Sequence, residues 1–104
     1  MSYFVSVTYD LRYADPSVYP KVQQALAEIN LSKFVTGRKK IDVQLPANLF
    51  VAEFESHRYE RASELVDFLA SELRIVFERF SLRGKFFVSA GEGWAWKSVP
   101  FKYE

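Results

Sequence analysis

The sequence predicts an α+β fold in one domain over residues 1–104. We expect a split βαβ sheet (βαββαβ) with an extra C-terminal strand and two helices on one sheet face. Three observations indicate this fold. Segments of period two alternate with two segments of helical periodicity. Their order is β-α-β-β-α-β, followed by one more strand. The chain is 49% apolar and 17% aromatic, which is enough for one core.

The first predicted strand covers about residues 3 to 10, "YFVSVTYD", where bulky and polar side chains alternate. The Asp-Pro and Tyr-Pro pairs in "RYADPSVYP" indicate a loop. Pro20 suits the first turn of a helix, because its missing N–H is no loss there. Val22, Leu26 and Ile29 then recur at helical spacing. We expect this helix to end near Asn30, which tolerates the left-handed conformation.

The segment "SKFVT" predicts a short second strand before Gly37. The following "GRKKIDVQLPAN" leaves two alternatives open: it extends that strand, or it forms a loop with a short strand at about residues 41 to 45. Next, "LFVAEFES" alternates again and predicts a third long strand. Phe50, Ala52 and Phe54 share one face of it.

The longest helix is predicted in "HRYERASELVDFLASELRIVFERF", where one apolar stripe continues for about five turns. Gly84 follows the end of this helix. "KFFVSA" predicts a strand and "GEG" a hairpin loop. "WAWKSVPF" then predicts the extra strand, with Trp94 and Trp96 on one face. Pro100 places this strand at a sheet edge or marks its end. This order of elements is that of ferredoxin-like folds.

Composition limits the classes of function. The formal net charge is +1, so bulk charge gives no strong case for nucleic acid, although a local patch remains compatible with it. The chain has no cysteine, which excludes disulfides and thiol chemistry. No secretory signal and no apolar run of about 20 residues is present, so we expect a cytoplasmic protein without membrane contact. The many aromatic side chains predict an open apolar face and a homodimer.

Asp10 ends the first strand and has two interpretations. It is a solvated acid at a strand end, or it binds a metal ion or a water molecule on the open sheet face. Ser6, Thr8 and Asp10 share that face, because Val5 and Val7 point toward the helices. One carboxylate alone is a poor Mg²⁺ site, but two copies across a twofold axis would supply a second charge.

Other residues have candidate roles. "TGRKK" concentrates Arg38, Lys39 and Lys40 after a glycine, and this loop either holds phosphates or is a solvated connection. His57 is the single histidine. A loop or helix-start position explains it better than acid–base catalysis does, since no second histidine is available.

Two further pairs of residues are candidates for the site. Arg12 and Tyr13 directly follow Asp10 and offer a phosphate contact and a surface for base stacking. Trp94 and Trp96 can stack on bases, but packing at a sheet edge against a second subunit is the favoured interpretation.

The first strand, "YFVSVTYD" followed by a leucine, resembles that of the small CRISPR-associated endonucleases, which are ferredoxin-like dimers. In size and order the chain is similar to the GhoS-type antitoxin endoribonucleases through "YFVSVTYD", "SKFV", "QLPANLFVAEF" and "ASELVDFL". The resemblance covers about residues 3 to 70. The first family implies metal-dependent phosphodiester cleavage with Asp10 as a Mg²⁺ ligand. The second implies cleavage of a toxin transcript without an obvious metal requirement.

Two hypotheses follow from the sequence. The first is a small dimeric ferredoxin-like endoribonuclease or an RNA-binding relative, in which Asp10 is catalytic and the basic residues hold phosphates. The alternative is a non-catalytic protein-interaction module that uses the open sheet face and the Trp hairpin.

Overall fold

The computed structural model describes residues 2–36, 42–45, 48–55 and 58–102. That part of the chain forms two helices and five strands. They are β1 (Ser2–Arg12), α1 (Val18–Ala27), β2 (Phe34–Thr36), β3 (Asp42–Gln44), β4 (Leu49–Glu55), α2 (Ala62–Arg79) and β5 (Arg83–Gly91). The predicted α+β class is confirmed: three antiparallel strands form one open sheet with two helices, in the ferredoxin-like manner.

The main sheet has the strand order β4-β1-β5, with β1 antiparallel to both neighbours. A second, two-stranded sheet joins β2 and β3. It is connected to the main sheet by an antiparallel bridge between Ser32 and Val51. The backbone N–H of Leu45 also donates to the carbonyl oxygen of Lys33 at 2.7 Å. The strand between residues 41 and 45, one of the two alternatives for this segment, is therefore confirmed.

The odd-numbered face of β1 carries the core. Val5 and Val7 are completely buried on it, and Phe50 and Ala52 of β4 lie opposite them in register. Both helices pack on this one face, as predicted. Their buried contributions are Val22 and Leu26 from α1 and Leu65, Leu69, Leu73 and Phe77 from α2. Burying each such side chain stabilises the fold by about 1.5–3 kcal/mol.

The ends of α1 follow from local chemistry. Before the helix, the backbone N–H of Ser17 donates to a carboxylate oxygen of Asp15 at 2.9 Å, and this bond lowers the pKa of Asp15. Pro20 lies in the first turn, where its lack of an N–H costs nothing. After the helix, Asn30 adopts a left-handed φ of 69°, as expected.

The end of α2 differs from the expectation. The left-handed residue after the helix is Ser81, with φ 54°, and the N–H of Leu82 returns to the carbonyl of Phe77 at 3.0 Å. Gly84 belongs to β5 instead, where it allows a close approach to β1. Among the described residues, neither helix has the length and apolar character needed to cross a bilayer.

The prediction of an extra strand at the C-terminus was wrong. Residues 92–102 follow β5 without forming a strand, and the additional strand of the fold is β3 instead. The physical reason is that the indole of Trp94 stacks on the ring of Phe4, so the chain turns onto the open face of the sheet rather than along its edge. Pro100 also lacks the N–H that a ladder would need.

Candidate nucleic-acid interface

The face of the main sheet opposite the helices is divided into two halves. Near the start of β1 it carries Phe4 and Ser6, which the C-terminal segment 92–102 covers. Toward the end of β1 it is open to solvent. We call this region the exposed half and define it by its cross-strand pairs, Thr8 with Phe87, Asp10 with Lys85 and Arg12 with Arg83.

The covered half is apolar around Trp94, whereas Glu53 lies opposite Phe4 on the same face. The rings of Phe4 and Trp94 stack with centroids 5.1 Å apart, and Trp96 lies 6.4 Å from Trp94. Beneath the segment, Leu45 and Val51 form a small second core against Trp94. A groove of about 460 Å³ remains between the segment and the sheet. The sheet-edge position predicted for Trp94 and Trp96 is thus wrong, whereas their contact with a second subunit stays a prediction.

The exposed half is cationic. Arg12, Arg83 and Lys85 surround the single carboxylate of Asp10, whereas the whole chain carries a formal charge of only +1. Together with Tyr13 these residues line a shallow pocket with a volume of about 410 Å³. The exposed half therefore concentrates positive charge that the rest of the protein balances with acids.

Aromatic rings lie beside these charges. Phe87 occupies the middle of β5 and is 63% exposed, although a ring on a strand is normally packed. Tyr13 follows β1 with a left-handed φ of 54° and a completely exposed side chain. A positive φ is uncommon for a bulky residue. Two rings and three cations on one side of a sheet offer stacking and phosphate contacts together.

Gly84 positions this arrangement. It pairs with Leu11, between the Asp10–Lys85 and Arg12–Arg83 pairs. A Cβ at Gly84 would collide with the backbone carbonyl of Asp10, and its φ of 158° is one that L side chains rarely adopt. Glycine therefore lets β5 approach β1 closely at the point where the charged pairs meet.

The surroundings of Asp10 do not fit a divalent cation within one chain. Lys85 lies opposite it and Arg12 follows on the same face, and both would repel a metal ion. No group of three or more His, Cys, Asp or Glu side chains forms a metal site among the described residues. The predicted Mg²⁺ site would need a carboxylate from a second copy, so we derive no chemistry through it.

The sequence predicted part of this site. Asp10, Arg12 and Tyr13 line one pocket, and their roles there stay predictions. The other candidates, Arg38, Lys39, Lys40 and His57, lie outside the described residues. Arg83, Lys85 and Phe87 were missed as site residues. Their spacing in the sequence was the available signal: in "RGKFFVSAG" the three residues occupy every second position, so they share one face of β5. Once β5 pairs with β1, this is also the face of Asp10.

Comparison with models of protein families, with curated proteins and with solved structures finds no match for this chain. The resemblance to GhoS-type and CRISPR-associated endonucleases thus stays a prediction.

Proposed function

We propose that this chain binds single-stranded RNA on the exposed half of its sheet. The exposure of Phe87 is the observation that carries the proposal, because the ring lies in mid-strand beside Lys85 and gains nothing from the core. A ring in that position is suited to stack on a base.

The geometry supports a simple mode of binding. Neighbouring same-face positions on a strand are about 7 Å apart, so a base on Phe87 and a phosphate at Lys85 belong to adjacent parts of one nucleotide chain. Arg12 and Arg83 extend the phosphate contacts, and Tyr13 adds a second ring. Single strands fit this surface because their bases are free to stack.

Three cationic contacts predict a measurable salt dependence. For single strands, the slope of log K against log salt is about −0.7 per neutralised phosphate, so Arg12, Arg83 and Lys85 together predict a slope of about −2. Contributions from Arg38, Lys39 and Lys40 would make the slope steeper.

We propose in addition that the chain cleaves the RNA that it binds. Asp10 is the single carboxylate on the exposed half, and it makes no side-chain hydrogen bond or ion pair with the described residues. It is therefore available to orient a water molecule beside a bound phosphate. Removal of this charge should strengthen binding and, if Asp10 orients water, abolish cleavage.

A homodimer is the assembly we propose. β5 is the last strand of the main sheet, and no described strand pairs with its outer edge. An antiparallel pairing of β5 with β5 of a second copy would extend the sheet across a twofold axis. The two exposed halves would then form one continuous surface.

The test of the proposal is a titration of labelled oligouridylate, followed by fluorescence anisotropy. Phe87→Ala should weaken binding about tenfold, the loss of one base–ring stack. Phe34→Ala is the matched control, because Phe34 is also an exposed strand phenylalanine but lies in the other sheet. Equal affinities of the two variants would refute the role of Phe87.

A protein-binding module is the second candidate. The observation in its favour is the C-terminal segment, which exposes the large apolar side chains of Val99 and Phe101. Absence of RNA binding at low salt by both the wild-type protein and Trp94→Ala would favour this function over the first.

A further inference from the structure

Phe4 and Phe87 lie on the same face of the sheet. The ring of Phe87 is exposed to solvent, whereas an indole covers the ring of Phe4. Phe4 pairs with Gly91 of β5. Because Gly91 has no side chain, the space beside the Phe4 ring is open to an additional planar group. Trp94, three residues further along the chain, fills it, with its indole at 5.1 Å and an interplanar angle of 29°.

The segment that carries Trp94 is held by side chains rather than by backbone. Residues 92–102 belong to no helix or strand, and none of the turn and loop hydrogen bonds of the described chain involves them. Contacts of Trp94 with Phe4, and of the segment with Leu45 and Val51, hold it on the sheet. Displacing it would break packing contacts but no hydrogen-bonded ladder.

We propose that Phe4 is a second base-stacking position and that Trp94 occupies it in the free protein. The inference rests on the proposed RNA binding at the exposed half. An indole and a nucleobase are both planar and both stack on a phenyl ring, so each can replace the other on Phe4. RNA that extends from Phe87 toward Phe4 must then displace the C-terminal segment.

The proposal explains the division of the sheet face. Trp94 shields an apolar surface that would otherwise be open to water, and RNA that displaces it exchanges one stacking contact for another. In the wild-type protein this exchange adds little affinity. Where Trp94 is absent, a base gains the whole contact with Phe4.

The first experiment compares oligouridylate affinities of full-length variants. Trp94→Ala should bind about tenfold more tightly than the wild type, by the size of one base–ring stack. Trp96→Ala is the matched control and should bind as the wild type does, because Trp96 contacts Trp94 and not the Phe4 ring. Phe4→Ala combined with Trp94→Ala should abolish the gain.

The second experiment leaves Trp94 in place and so does not depend on how the truncated side chain affects folding. In Trp96→Phe, Trp94 is the one tryptophan of the chain. Saturating oligouridylate should shift its emission to longer wavelength and increase its quenching by acrylamide, because the indole leaves Phe4 for solvent.

The outcomes separate the two proposals. If wild type binds RNA but Trp94→Ala binds no more tightly than Trp96→Ala, and the Trp94 emission stays unchanged, the second stacking position is refuted while RNA binding stands. If only Trp94→Ala binds, the inference is supported and the segment masks the surface. If neither protein binds, RNA binding itself fails and the inference with it.

Discussion

Asp10 and Lys85 lie directly opposite each other on β1 and β5, yet their side chains form no ion pair in the described part of the chain. Both charges therefore face solvent and remain available to a ligand. Because the carboxylate lies among three cations, it should weaken the attraction of the exposed half for phosphate.

Charge removal at this pair should change RNA affinity in opposite directions. Lys85→Ala should weaken oligouridylate binding and reduce the salt slope by about 0.7, the share of one phosphate contact on a single strand. Asp10→Asn should strengthen binding. Titrations between 50 and 200 mM salt, about the range over which such slopes are measured, test both. Lys21→Ala, on α1, is the control, and a similar slope change there would contradict the assignment of the site.

Asp10→Asn also tests cleavage. The residue is exposed on the open face, so the melting temperature should stay within a few degrees of the wild type, since surface changes are usually within about 0.5 kcal/mol. If Asp10 orients water, the folded variant should bind single-stranded RNA but no longer cleave it. The assay compares both proteins with Mg²⁺ and with chelator. Equal cleavage by the two would place the activity elsewhere, and absence of cleavage by both would leave binding as the function.

Gly84→Ala should lower the free energy of unfolding by about 2 kcal/mol or more, because the added Cβ collides with the Asp10 carbonyl and forces β5 away from β1. It should also weaken RNA binding by displacing Lys85 and Arg83. Gly93→Ala is the matched control, since a Cβ there meets nothing within 4 Å. Urea denaturation measures both, and equal stabilities would show that the close approach is unimportant.

Tyr9→Phe should raise the free energy of unfolding by up to about 1 kcal/mol. The Tyr9 hydroxyl is buried without a hydrogen-bond partner among the described residues, so removing it relieves a desolvation penalty. Tyr3→Phe is the contrasting control, because the Tyr3 hydroxyl donates to the carbonyl oxygen of Tyr59 at 3.3 Å. We expect that variant to lose stability.

The same tyrosine gives an alkaline pH dependence. Burial first, and the nearby Tyr19 second, raise the pKa of Tyr9 from 10.0 to about 12. Between these values the folded protein keeps a proton that the unfolded chain releases, so this group's contribution to stability is complete below pH 10 and is lost as the pH rises toward 12. Tyr9→Phe should lose less stability over that range in thermal melts than the wild type.

The dimer is tested by light scattering. A wild-type mass of one chain at micromolar concentration would overturn the β5 pairing. If a dimer is present, Val88→Pro in mid-strand should weaken it, and Val99→Pro, outside any strand, should not. A circular dichroism spectrum of each variant shows whether the fold is kept.

The helices and long strands were readable from sequence because their signals are local. The alternation of Val5 and Val7 with polar neighbours sets the buried face of β1, and the stripe through Leu65, Leu69 and Leu73 sets that of α2. These patterns need no knowledge of a distant partner.

The rest depended on contacts between distant segments. "WAWKSV" has the composition of a strand, but stacking of Trp94 on Phe4, remote in sequence, decides its course. Likewise, Lys85 and Asp10 become neighbours only through the register of β5 on β1, which Gly84 permits. Sequence periodicity assigns a face to each residue but not a cross-strand partner.

The second small core has a consequence for local unfolding. The β2–β3 pair joins the main sheet through the Ser32–Val51 bridge, and Leu45, next to β3, packs in that core with Trp94. These few contacts make the pair a separate cooperative unit, whose amide hydrogens should exchange before those of β1. If Trp94 leaves the sheet face, Leu45 loses its cover. Opening of the β2–β3 pair and occupation of the sheet face are then thermodynamically linked. A ligand bound on the sheet face should therefore accelerate hydrogen exchange in the β2–β3 pair.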